Sequence, residues 1–178
     1  TPMSIFAGSF GHQRGQSQAN VLATLRDLEN TWVDYYLKDV GSQPASNVTA
    51  YPQTCPNGSL GDGPYTAPDW ASVAPGEILL KDGSKKTIAP DGGDPVVAAL
   101  WNPVTAGQNP CVTASDAAET GTVAYDTDPA PAGGYTVLGS ATAIAKISVA
   151  NGPDSQIMAR LVDLDNAGNK TLIARGSW

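Results

Sequence analysis

Only one segment of this chain has sustained helical periodicity, and it comes early. Between residues 19 and 38 the side chains Val21, Leu22, Leu25, Leu28, Trp32, Val33, Tyr36 and Leu37 recur at intervals of three and four. That spacing lays a broad apolar stripe along one face of an α-helix. Asn20 or Ser17 offers a side chain suited to cap its start, and Gly41 follows its end. From Gly41 to Trp178 no second helix is expected. Short extended runs alternate there with turn chemistry, at 48–53, 77–80, 87–89, 96–100, 122–126, 135–138, 143–149, 156–164 and 171–175. Lys81-Asp82-Gly83-Ser84 and Asp165-Asn166-Ala167-Gly168-Asn169 have the composition of hairpin turns, and 126–134 reads as a loop. Strands of this length at this spacing predict a mainly β fold, a β-sandwich rather than a parallel sheet. The 19 glycines and 14 prolines supply the turns, and a charged fraction of only 15% leaves little for exposed helices. With 41% hydrophobic residues the chain is not wholesale disordered.

Ahead of the helix, residues 4–8 read as a short buried strand. It runs into the Gly-rich segment Ser9-Phe10-Gly11-His12-Gln13-Arg14-Gly15-Gln16, which holds the only histidine, His12. A strand, a loop and one helix cannot bury themselves as a domain of about 40 residues. Residues 1–40 therefore either pack against the sandwich or belong to a domain whose other parts lie elsewhere.

Net charge narrows the partners. A formal charge of −7 and a pI near 4.4 repel a phosphate backbone, so nucleic acid is not an expected partner. No basic run offers a membrane patch, and no apolar stretch approaches the length of a spanning helix. No signal peptide is visible at Thr1, so an export signal would have been removed or would lie upstream.

The two cysteines, Cys55 and Cys111, sit in polar, Pro-rich settings. They are too few and too far apart for a metal site. Either they form a long-range disulfide, which implies an oxidising compartment, or they are two unpaired thiols. A disulfide would stabilise the chain by roughly 3–5 kcal/mol in the loop-entropy account.

A search for catalytic motifs is mostly negative. No G-x-S-x-G is present; Asn57-Gly58-Ser59-Leu60-Gly61 misses at its first position. S-x-x-K, H-E-x-x-H and P-loop patterns are missing too, and a single histidine gives no basis for a zinc site. No cofactor is called for. Asp163-Leu164-Asp165-Asn166-Ala167-Gly168 superficially resembles a calcium loop, but Ala167 and Ala174 stand where ligands are needed. A hairpin turn is the better reading, and Asp126 and Asp128 beside Pro129 likewise read as a turn. Trp70, with Pro64, Tyr65 and Pro68 close by, is the best candidate for an aromatic ligand contact. His12 is the position that can carry chemistry. A histidine presented from a loop after a buried strand, ahead of a long amphipathic helix, is how α/β-hydrolases deliver their general base.

These residues resemble a family. Gly8-Ser9-Phe10-Gly11-His12-Gln13-Arg14-Gly15 is similar to the G-P-W-x-H stretch of the Xaa-Pro dipeptidyl-peptidase and cocaine-esterase type of α/β-hydrolase. Thr31-Trp32-Val33-Asp34-Tyr35-Tyr36-Leu37-Lys38 resembles that family's W-F-D-x-W-L-K helix, which precedes a C-terminal jelly roll. Residues 134–139, 159–164 and 171–176 look like its jelly-roll strands, where an ARL-x-DV-x-x-x-G hairpin is typical. The likeness covers both ends of the chain and is weak through about 55–120. Ser9-Phe10-Gly11 also departs from the family's usual Pro-Trp-Ser ahead of the histidine.

The resemblance implies a serine hydrolase acting on peptide, amide or ester substrates, with His12 as general base. In that family's chain order the nucleophile and acid come first, which would place both before Thr1. Residues 1–40 would then end a catalytic domain, and 41–178 would form a jelly-roll-like sandwich that is incomplete at its C-terminal end. On this expectation the chain is an inactive C-terminal fragment of a secreted or cell-surface enzyme. The alternative is a non-catalytic β-sandwich module that binds carbohydrate or a protein surface; a scaffold domain of a larger cell-surface protein is a third reading. Asn47, Asn57 and Asn169 open N-x-S/T sequons, which matter only in a eukaryotic source. Composition does not set the oligomeric state. If the cysteines are paired, intact mass should rise by about 2 Da on reduction, and an unchanged mass would mean free thiols.

Overall fold

The computed structural model describes residues 2–10, 18–56, 58–89, 94–101, 109, 111–150 and 155–178. The chain divides into two compact units, Thr1–Asp82 with Asp126–Leu138, and Gly83–Tyr125 with Gly139–Trp178.

In the first unit, strand β1 (Ile5–Gly8) leads through helix α1 (Ala19–Lys38) to strand β2 (Val48–Tyr51). The two strands pair in parallel, from Ile5 opposite Val48 to Gly8 opposite Tyr51. Parallel neighbours cannot be joined by a tight turn, and α1 is the crossover. At the entry to the pair, the Ile5 N–H donates to the Asn47 carbonyl at 2.9 Å. The Ser4 hydroxyl reaches the same carbonyl and the Asn47 side-chain oxygen, each at 3.1 Å. Strand β3 (Tyr65–Ala67) runs antiparallel along the other side of β2, so the order is β1-β2-β3 and the sheet is mixed. Central β2 is buried at all four residues, as a strand covered on both faces must be.

Val21 in the first turn of α1 is the fully buried side chain that seats the helix. It meets two glycines. A Cβ on Gly8 would stand 3.0 Å from Val21 Cγ1; one on Gly61 would stand 2.7 Å from Val21 Cγ2 and 2.8 Å from Gln18 Oε1. Gly61 is required for this close approach, and Gly8 leaves it little slack. Asn20 sits one residue before Val21 and exchanges two hydrogen bonds with Gly61, donating to its carbonyl at 2.8 Å and accepting from its N–H at 2.9 Å. One turn on, the Thr24 and Tyr51 hydroxyls are 2.8 Å apart. Beyond this anchor Leu22, Leu25, Leu28 and Trp32 are half-buried, while Val33, Tyr36 and Leu37 are exposed. The N-cap is Gln18, rather than either residue expected, and Asp39 closes the other end in the left-handed region at φ 55°. A one-turn helix, α2 (Trp70–Val73), follows β3, capped by the Asp69 carboxylate on the Ser72 N–H at 2.8 Å.

The second unit contains helix α3 (Pro95–Trp101) and strands β4 (Thr113–Ser115), β5 (Met158–Leu164) and β6 (Asn169–Ser177), in the sheet order β4-β6-β5. β5 and β6 form the expected antiparallel hairpin, with an irregularity between Leu161 and Val162. Arg160 Nη2 meets Glu119 Oε2 at 2.7 Å, and Lys170 Nζ lies 3.4 Å from Glu119 and 3.2 Å from Asp116.

The described chain is thus two three-stranded sheets with one long helix, in keeping with a mainly β fold. Some expectations need correction. Residues 96–100, expected as a strand, lie in α3. Asp94 accepts the Val96 N–H at 2.8 Å and Pro95 occupies the first helical position, a start signal that overrides the β-branched pair after it. The runs at 77–80, 87–89, 122–126, 135–138 and 143–149 form no strand. A strand gains its stability from a partner, and alternation alone supplies none. Lys81–Ser84 accordingly joins no pair of strands. Strands β3 and β4 were unexpected because three residues are too few to show a period of two.

Gly61→Ala should lower the urea midpoint of the first unit, since overpacking of this kind costs about 1–3 kcal/mol. Gly76→Ala, where an added Cβ meets nothing within 4 Å, should leave it unchanged.

Candidate functional site

Because β1 and β2 are parallel, their carboxyl ends lie at the same edge of the sheet. From that edge one chain leaves as Ser9 and Phe10, the other as Pro52, Gln53 and Thr54. The Ser9 hydroxyl hydrogen-bonds the Gln53 side-chain oxygen, and Gln53 Nε2 donates to the Thr54 carbonyl at 2.8 Å. The chain returns to the same place at Gln18. Its side chain, in a residue only 5% exposed, donates from Nε2 to Thr54 Oγ1 at 2.6 Å. Thr54 in turn donates to the Leu60 carbonyl at 2.9 Å. Gln18 Oε1 has no hydrogen-bond partner among the described residues and lies against the Gly61 backbone. Phe6 lines this end of the sheet, its ring centroid 5.8 Å from that of Phe10 and 5.9 Å from that of Tyr51.

His12, the expected general base, lies in 11–17, outside the described residues, as do Ser17 and Asn57. Its flanks are described, and they converge on two successive residues of one strand end.

Thr54 is followed by Cys55. Cys55 and Cys111 are both disulfide-bonded, and neither is free. Tyr65 and Trp70 stand on neighbouring elements, β3 and the start of α2. The Tyr65 phenol donates to Asp62 Oδ2 at 2.5 Å, and that carboxylate holds its pKa above the ordinary tyrosine value. Trp70 is 42% exposed. On α1, Trp32 stacks with Tyr36 at 4.9 Å and Tyr35 meets Tyr36 edge-on at 4.8 Å.

The acidic residues behave as turn formers. Asp165 Oδ1 accepts the N–H groups of Ala167 and Asn169, each at 2.8 Å, and Oδ2 accepts Asn169 Nδ2 at 2.9 Å. Both oxygens are engaged in closing the hairpin. Asp126 and Asp128 are exposed in an irregular loop. Among the described residues no group of three His, Cys, Asp or Glu could hold a metal ion, and no helix is long and apolar enough to cross a membrane.

Sequence reasoning missed Gln18, Gln53, Thr54 and the Glu119 cluster. Single polar residues after a strand carry no periodic signal, and Glu119 meets Arg160 from 41 positions away. No family model, curated protein or solved structure matches this chain.

Asp165 provides a pH test. The Asn169 side-chain amide, followed by backbone N–H groups, holds its carboxyl below the ordinary value of 3.8. A depressed folded pKa contributes stability above the unfolded value and loses it as pH falls through the folded one. The urea midpoint of the second unit should therefore decline as pH drops below about 4, and Asp165→Ala should flatten that decline.

Proposed function

We propose that this chain is the C-terminal portion of an exported serine hydrolase that cleaves peptide, amide or ester bonds, with His12 as its general base. The observation that supports this reading is the parallel β1–α1–β2 unit. The segment bearing His12 leaves from the carboxyl end of β1, and that edge is where open parallel sheets gather ligands and catalytic groups. In this role the imidazole takes the proton of a serine hydroxyl as the oxygen attacks the scissile carbonyl, then returns it to the leaving group. The serine and the orienting acid come from a part of the protein before Thr1. The β1–α1–β2 unit with its added strand β3 completes that catalytic domain, and a jelly-roll-like sandwich follows it, with Tyr65 and Trp70 available to contact substrate. The disulfide supports an extracytoplasmic location.

The 178-residue chain alone should not hydrolyse a p-nitrophenyl ester above the buffer rate. A chain extended upstream to include the nucleophile and acid should, and His12→Ala in it should lower kcat/KM by at least about a thousandfold. An extended enzyme whose rate survives His12→Ala unchanged would refute the role given to His12.

A further inference from the structure

We propose that Lys85-Lys86 is a processing site for an endoprotease that takes lysine in a carboxylate-lined specificity pocket, and that Tyr125 sets which bond of the pair is cut. Lys81, Lys85 and Lys86 are three of the 10 lysine and arginine residues in the chain, and 85–86 is its only adjacent basic pair. They lie in a stretch, residues 75–89, that is exposed at every position and forms no helix or strand. The chain passes from the first unit to the second within this stretch, between Asp82 and Gly83. An endoprotease binds its substrate as an extended strand, so a bond inside a helix or sheet must first be opened. Lys85 and Lys86 make no backbone–backbone hydrogen bond among the described residues, and no such opening is needed. Exposed loop segments of this kind are where proteolytic nicking concentrates.

The two lysines differ in what holds them. Lys86 Nζ donates to the Ala124 carbonyl and stands 4.5 Å from the centre of the Tyr125 ring, where the ring face attracts the cation. Tyr125 is the last residue of the stretch 83–125 that belongs to the second unit, so this contact ties the start of that stretch to its end. Lys85 makes no such contact among the described residues. A protease must draw into its pocket the ammonium of the residue before the cut, and it finds that of Lys85 available and that of Lys86 engaged. Hydrolysis by water therefore falls first on the bond between them, leaving a carboxylate on Lys85 and a new amino terminus on Lys86. The only two cysteines are both disulfide-bonded and stand on opposite sides of that bond in sequence. The product is two chains joined through sulfur rather than two separate pieces.

Limited digestion of the 178-residue chain with a lysyl endopeptidase, followed by intact mass, tests this against the competing sites Lys38, Lys81, Lys146 and Lys170. Without reductant the first product should weigh one water more than the parent; with reductant it should separate into 1–85 and 86–178. Lys85→Gln combined with Lys86→Gln should slow the loss of intact chain. Tyr125→Leu removes the ring and should raise cleavage after Lys86, relative to cleavage after Lys85, about two- to fivefold, the worth of an exposed cation–π contact. Tyr125→Phe keeps the ring and should keep the parent ratio. The proposal fails if the first cut falls after any lysine but Lys85, if the double variant is lost as fast as the parent, or if Tyr125→Leu and Tyr125→Phe give the same ratio. None of these readouts involves turnover or His12, so this result and the hydrolase assay can fail independently.

Discussion

Everything in the first unit depends on how closely the first turn of α1 approaches the sheet. Val21 has one methyl against Gly8 at the end of β1 and the other against Gly61 in the loop before β3, where a Cβ would be tight at Gly8 and would force a shift at Gly61. A crossover helix must return its strand beside the first, and the contact at its start sets where that return begins. With Val21 seated, Asn20 can pair with Gly61 and Thr24 can reach Tyr51. These bonds follow from the packing, since their donors and acceptors meet only once the helix is that close.

The same approach has a cost. Gln18 Oε1 is buried against Gly61 without a hydrogen-bond partner among the described residues, and an unpaired buried acceptor costs about 1–3 kcal/mol. The fold accepts this because the other end of the amide makes the short bond to Thr54. Turning the amide over would present N–H groups to Gly61 and set two acceptors face to face at Thr54, whose own proton is committed to Leu60. The hydrogen-bond network thus determines which way Gln18 points.

How much of this was legible in the sequence varied with the length of the signal. The helix over 19–38 was readable, though not its cap, since eight apolar positions reinforce one another across five turns. The 156–164 and 171–175 runs with their turn were readable because alternation and turn chemistry agreed. Residues 96–100 misled because two valines suggested a strand while Asp94-Pro95 specified a helix start. The site divided in the same way. His12 was conspicuous as the only residue of its kind, and the paired cysteines as the only two. Thr54 and Gln18 were invisible, being ordinary polar residues whose role arises from contact across 36 positions.

The first sheet also bears on what surrounds this chain. In the described sheet β1 pairs with β2 along one edge only, and α1 is seated at its first turn while Val33, Tyr36 and Leu37 further along are exposed. Parallel strands are stable when both faces are covered and their neighbours continue the ladder. A helix with a broad apolar stripe gains its stability by burying that stripe. An open strand edge and an open helix stripe in the same forty residues are therefore two expressions of one requirement. A catalytic portion upstream, of the kind proposed, would meet both by adding a strand beside β1 and a surface beneath α1. A free-standing binding module would have to meet them separately.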